Sequence, residues 1–167
     1  MKRDQISRRT VLAGVGIATL TSTLPAMAQD GEQITVEMLN KHPENDRKRF
    51  VFHPRVVSLK PGDTVLFKAV DRGHNSASTD GMIPEGAEEW NGRIGMDVEV
   101  SFDKPGIYGY HCTPHAGVGM VALVVVEGEG KLDNLAAAKE VRQRGRAKDE
   151  WEEIWAEAEE LGLLQET

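Results

Sequence analysis

Six consecutive apolar residues, Val121-Ala122-Leu123-Val124-Val125-Val126, constrain this chain more than any other segment. They read as the last of several short strands. Side chains alternate across a strand, so this one is apolar on both faces. One face belongs to a core; the other needs a cover. The C-terminal segment can supply it. Trp151, Ile154, Trp155, Ala158 and Leu161 fall at helical spacing, and Leu132, Leu135 and Val141 make a shorter stripe before Gly145. The expectation is one or two helices packed on a sheet, with the tryptophans as packing residues rather than a cofactor box.

Upstream, residues 33 to 127 are punctuated as strands and turns. Ile34, Val36 and Met38 alternate with Thr35, Glu37 and Leu39. Pro61-Gly62-Asp63 turns the chain into Thr64 to Val70, rich in β-branched and aromatic residues. Val98, Val100 and Phe102 alternate with Asp97, Glu99 and Ser101, and Lys104-Pro105-Gly106 is a second turn. Ile107 to Cys112 and Met120 to Glu127 complete the set. Short strands joined by turns predict a mainly β chain, an antiparallel sandwich or barrel, rather than alternating β and α units. No internal repeat or low-complexity linker interrupts it.

The first 28 residues read as an export leader. Lys2, Arg3, Arg8 and Arg9 against Asp4 give +3, and a weakly hydrophobic run from Val11 to Leu24 follows. That run is too short and polar to span a bilayer of ~30 Å. Leu24-Pro25-Ala26-Met27-Ala28 places small residues where a signal peptidase reads, so the mature chain is expected to begin at Gln29. Ser7-Arg8-Arg9-Thr10-Val11-Leu12 is similar to a twin-arginine signal, a route that carries folded proteins. The organisation expected is leader 1–28, a β domain over 29–130, and a helical extension over 131–167 packed on it.

Charge is distributed unevenly over the 167 residues. The formal net charge is −7, yet the acids from Asp149 onward contribute −8, and the region between leader and tail carries only −2. The acidic balance excludes a nucleic-acid binder, which needs a basic footprint. The single cysteine excludes an intramolecular disulfide framework and any zinc site built on two or more thiolates.

That cysteine lies in the segment that carries chemistry, His111-Cys112-Thr113-Pro114-His115-Ala116-Gly117-Val118-Gly119-Met120. Cys112, His115 and Met120 share one short loop between two strands, in the pattern C-x2-H-x4-M. A second imidazole, His74, sits upstream in Asp71-Arg72-Gly73-His74-Asn75. Two imidazoles, a thiolate and a thioether are the ligand set of a mononuclear blue-copper centre: sulfur suits Cu(I), and imidazole suits both oxidation states. A loop tied to strands at both ends holds its ligands from a rigid base. Pro114 stiffens it, and Gly117 and Gly119 allow the return to the strand. Alternation puts Cys112 on the side of Tyr110 and Tyr108, with His111 and Gly109 opposite. Met82 and Met96 read as packing residues, and His42 and His53 as surface histidines without partners.

These residues resemble the pseudoazurins, small blue-copper proteins of the cupredoxin family. The resemblance rests on Val36-Glu37-Met38-Leu39-Asn40, Lys60-Pro61-Gly62-Asp63-Thr64-Val65, Gly73-His74-Asn75, Met82-Ile83-Pro84-Glu85-Gly86-Ala87-Glu88 and Cys112-Thr113-Pro114-His115. It implies a Greek-key sandwich and one copper ion held by His74, Cys112, His115 and Met120. Asn75 is implied as a supporting residue, its backbone N–H toward the Cys112 sulfur and its side chain tying the two ligand loops near Thr113. His115 would be the partly exposed ligand, within a small apolar surround of Pro114, Ala116, Gly117 and Val118.

The function implied is a monomeric, periplasmic electron carrier cycling Cu(II) and Cu(I), serving denitrification through nitrite reductase, with a cytochrome or another carrier on the other side. Lys41, Arg47, Lys48, Arg49 and Arg72 are the basic docking candidates, beside Ala116 and Val118. His111 stands where the family pattern has lysine, which would make docking pH-sensitive. Two enzymatic readings fail on missing parts. A His-Cys pair linking two coppers needs a second cupredoxin domain and a longer loop, and a cysteine-histidine hydrolase needs an orienting residue and an oxyanion hole. The alternative of another class is a copper-delivery module, which a rigid His-Cys-His-Met cage disfavours.

Overall fold

The computed structural model describes residues 31–166, so the expected leader and its cleavage point lie outside the described residues. The strands are β1 (Gln33–Lys41), β2 (Arg49–His53), β3 (Val56–Leu59), β4 (Asp63–Lys68), β5 (Ala77–Ser78), β6 (Val98–Phe102), β7 (Gly106–His111) and β8 (Val121–Val126). They form two four-stranded sheets, ordered β2-β1-β4-β6 and β3-β8-β7-β5. Helices α1 (Leu135–Glu140) and α2 (Ala147–Glu160) follow.

The sandwich is mixed rather than antiparallel. β1 runs parallel to β4, and β3 parallel to β8. The chain changes sheet at every step from β2 to β7, so several neighbours are not consecutive and the hairpin rule that enforces antiparallel order does not apply to them. Three strands lack the alternation that marks the others. Pro54 separates β2 from β3 and leaves each short, and β5 has two residues. The strand expected to reach Val70 stops at Lys68, leaving Val70 exposed.

The double-faced β8 is where the layers meet. Ala122, Val124 and Val126 enter the core between the sheets, with Val36, Met38, Phe52, Val65, Phe67, Trp90, Phe102, Tyr108 and Tyr110. Val121, Leu123 and Val125 face the helices, against Ala147, Trp151, Ile154 and Ala158. Asn134 fastens the entry to α1, accepting from Ile107 N at 3.0 Å and donating to Ile107 O at 2.7 Å. The helical stripe ends one residue early: α2 stops at Glu160 and Leu161 is 58% exposed. At its other edge the helix is held by charge, with Lys48 and Arg55 both bridged to Glu150 and Glu153 and Arg55 also to Glu157. No helix among the described residues is long and apolar enough to cross a membrane.

Ile154 is fully buried between α2 and β8. Truncation by Ile154→Ala should therefore cost about 3 kcal/mol in urea unfolding, the range of large-to-small core changes. A loss below about 0.5 kcal/mol would mean that the helix covers nothing.

Two tyrosines make the fold sensitive to alkali. Burial pushes the Tyr108 phenol up to about 12 and that of Tyr110 higher still. Above pH ~10 the unfolded chain releases phenolic protons that the folded chain keeps, so stability is complete below that pH and falls as pH rises. Tyr110→Phe should remove about 1.4 kcal/mol per pH unit of that decline between roughly pH 10.5 and 11.5. Near neutrality it should change stability little, because the buried hydroxyl finds no hydrogen-bond partner among the described residues. Urea titrations of both proteins at several alkaline pH values check the difference, and parallel curves would refute it.

Candidate metal centre

The loop after β7 is closed by its own backbone. Cys112 N donates to Met120 O at 3.0 Å, His115 N to Cys112 O at 3.0 Å, and Met120 N to His115 O at 3.1 Å. Ala116–Val118 form a single 3₁₀ turn that ends at Gly119 with φ +103°. A Cβ at Gly119 would also lie 2.8 Å from Glu150 Cγ, so both conformation and space require glycine there. Gly117 has open space and no unusual φ, so the return to the strand does not depend on it.

This closure, with the loop that follows β4, brings three expected residues together. His74 Nδ1 and His115 Nδ1 are 3.1 Å apart; Cys112 Sγ is 3.7 Å from the first and 3.5 Å from the second. A point equidistant from the three atoms lies about 2.0 Å from each, near the ~2.0–2.1 Å metal–imidazole and ~2.3 Å metal–thiolate lengths of comparable divalent sites. Among the described residues, this is the one cluster of His, Cys and acidic groups close enough to hold a metal ion. Met120 is fully buried where the loop re-enters the sheet, its main chain bonded to both Cys112 and His115.

The surroundings prepare these groups for a metal. His74 Nε2 lies 3.0 Å from Asn40 Oδ1, and Asn40 N donates to Asp71 Oδ2 at 2.6 Å. A proton donated from Nε2 to Asn40 leaves a lone pair on Nδ1, facing the cluster. Burial and the neighbouring His115 hold His74 below the ordinary imidazole range, against an opposing pull from Asp71. Burial pushes the Cys112 thiol up, while backbone N–H groups of Asn75 and His115 favour its thiolate. The Asn75 side chain ties the loops as expected: Thr113 N donates to Oδ1 at 2.8 Å, and Nδ2 donates to Thr113 Oγ1 and Gly92 O, each at 3.0 Å.

Asn40 and Phe50 escape the sequence reading. Asn40 stands near the end of β1, and nothing local marks it as a histidine partner. The Phe50 ring stacks on His115 with centroids 4.3 Å apart and planes 2° from parallel, while its backbone adopts φ +55°. Other placements differ from expectation too. Met82 packs against Gly109, as expected, but Met96 is 53% exposed. His42 and His53 pair with each other, edge to face at 5.0 Å.

The docking candidates divide. Arg47, Arg49 and Arg72 are exposed, as are Pro114 and Val118, with Ala116 half-buried. Lys41 is bridged to Asp46, and Lys48 is held by α2, so neither is free charge at the surface. His111 points away from Cys112 and bonds Thr79 Oγ1 at 2.9 Å. Burial holds it below the ordinary imidazole range, so at neutral pH it adds no charge to this face.

A sequence profile described as copper binding proteins of the plastocyanin/azurin family matches residues 36–127. The pseudoazurin of Methylorubrum extorquens is 43% identical over 137 residues, which cover 82% of this chain and 87% of the relative. The chain belongs to the pseudoazurin branch of the plastocyanin/azurin copper-binding family. The pseudoazurin of Paracoccus pantotrophus is 36% identical over 83% of this chain and 90% of its own. The solved structure of a pseudoazurin from Sinorhizobium meliloti superposes with a TM-score of 0.71 at 44% identity, over 77% of this chain and 97% of that one. As a pseudoazurin-family member, the chain is an electron-transfer protein whose cofactor is a single type I copper ion.

The stacked Phe50 gives a test of how that ring is held. Glycine adopts φ +55° without the Cβ strain that alanine suffers. Phe50→Gly should therefore be more stable than Phe50→Ala by about 1 kcal/mol in thermal or urea unfolding, although both lose the stack. The reverse order would mean that the strained backbone relaxes once the ring is gone.

Proposed function

We propose that the chain is an exported, monomeric one-copper electron carrier in which His74, Cys112, His115 and Met120 hold the metal. The arrangement of Cys112 Sγ and the two Nδ1 atoms, all within 4.8 Å of one another, carries this reading. Bound there, copper supplies a Cu(II)/Cu(I) couple that accepts and donates one electron. The protein's part is positional. The closed loop fixes Cys112, His115 and Met120 relative to the sheet, and Asn40 and Asn75 orient His74 and the cysteine loop. A ligand set that moves little between oxidation states keeps reorganisation small and transfer fast. His115, half-buried among exposed Pro114, Gly117 and Val118, is the group through which electrons enter and leave.

The residues up to Ala28 serve as a leader of twin-arginine type, the mature chain acts in the periplasm, and 131–167 is an extension of the same domain. Its partners are redox proteins that dock transiently: nitrite reductase or another periplasmic reductase in denitrification, and a cytochrome donor. Transient docking suits a small interface, since a carrier must leave quickly. No catalytic step is assigned to the chain.

Reconstitution with Cu(II) should give an intense visible thiolate-to-copper band that bleaches and recovers with reductant and oxidant. Cys112→Ser should abolish the band; Met120→Gln should retain copper and shift the reduction potential. A colourless, labile complex would favour copper delivery over electron transfer, and an unmoved potential would remove Met120 from the ligand set.

A further inference from the structure

We propose that the cleft between α1 and α2 binds a small aromatic carboxylate, its ring against Trp155 and its anionic group at Arg142. The helical extension builds this site, and none of the proposed copper ligands lines it. Residues at the end of α1, in the segment after it and on one face of α2 enclose a cavity of about 420 Å³. That volume lies within the ~300–1,000 Å³ of small-molecule sites.

The wall is aromatic and apolar. Trp151 and Trp155, one turn apart on α2, stack with centroids 5.0 Å apart and planes 27° from parallel. Met82 and Val141 also line the cleft. Trp151 is 3% exposed, and its indole N–H has no hydrogen-bond acceptor among the described residues. Buried donors are seldom left unpaired, and an oxygen atom brought into the cleft would serve this one. Gln143 is poorly served as well. Its Nε2 donates at 3.3 Å to the sulfur of Met82, a weak acceptor that a carboxylate oxygen outcompetes. Two donors without a strong acceptor thus share an aromatic cleft, which suits oxygen carried on a flat apolar body.

The sign of the ligand's charge follows from the other lining residues. Lys139, Arg142 and Lys148 stand against one acid, Glu152. Lys139 bridges Glu159 at 3.2 Å with its Nζ 5.6 Å from the Trp155 ring, and Lys148 lies 4.0 Å from Glu152. Arg142 is exposed and bridges no carboxylate among the described residues. A guanidinium fork meets a carboxylate through two parallel bonds, which favours a planar anion over a neutral amide. An aliphatic acid leaves the stacking surface unused, and a cation meets three like charges.

Titration of the 15N-labelled, Cu(I)-loaded chain with 2-naphthoate tests the proposal. Saturation is expected with a dissociation constant below about 1 mM. The indole N–H of Trp151 should shift downfield as it gains an acceptor, whereas that of Trp90, in the core between the sheets, should stay in place. Neutral 2-naphthamide should bind roughly fivefold more weakly. Arg142→Gln, an exposed change that leaves the packing intact, should weaken naphthoate roughly threefold at low salt and leave naphthamide unchanged. Trp155→Ala should weaken both probes about tenfold. No saturation below about 10 mM, equal binding of acid and amide, or a Trp151 signal that does not move would each overturn the site. So would shifts confined to residues 111–120, which place the acid at the copper loop. A chain that fails to hold copper would sink the electron-carrier reading instead, and the same titration of the metal-free chain would still decide whether the cleft binds the acid.

Discussion

Three backbone hydrogen bonds, Cys112 to Met120, His115 to Cys112 and Met120 to His115, hold the rest of the site in place. They seal the loop at its neck, where β7 and β8 are paired from His111↔Val121 down to Gly106↔Val126. Because that ladder is buried on both faces, the neck cannot splay without opening the core or lifting α2. The thiolate, one imidazole and the thioether are therefore positioned by the most protected part of the sheet. The second imidazole comes from a separate loop, and Asn75 and Asn40 join that loop to the first and to β1. A metal bound there meets a cage already near its final shape, so little rearrangement accompanies a change of oxidation state.

The legible parts of this architecture are those encoded over short sequence distances. The pattern from Cys112 to Met120 lies within one loop, and spacing alone named its chemistry. The two-faced β8 announced a cover, and the stripe from Trp151 to Ala158 supplied it. His74 stands in the sequence as the second imidazole candidate and the family resemblance implies it as a ligand, although a histidine 38 residues from the cysteine carries no local mark of its own. Asn40 and Phe50 were invisible, since their roles arise only when β1 and β2 are folded against the ligand loops. The parallel strand pairs were missed for a related reason: turn residues say where a chain reverses, not which sheet it enters next.

Charge was the least legible property. Lys48 and Arg55 pair with acids about a hundred residues away, a relation no count of charges reveals. The sequence shows that the acid is concentrated from Asp149 onward, but not what that charge faces. In the fold it is partly spent inward, neutralising bases of the sandwich.

β8 has a further consequence for how the two ends of the chain are linked. One face packs in the layer that supports Cys112 and Met120, and the other packs the helices, so the two layers share a single backbone. Binding free energy gained in the copper layer is then not private to it. To the extent that a filled site stiffens β8, it also strengthens helix docking, and by thermodynamic linkage docked helices tighten the hold on the metal by the same factor. The helical extension is, in that sense, part of the metal site's affinity, although it contributes none of the proposed ligands.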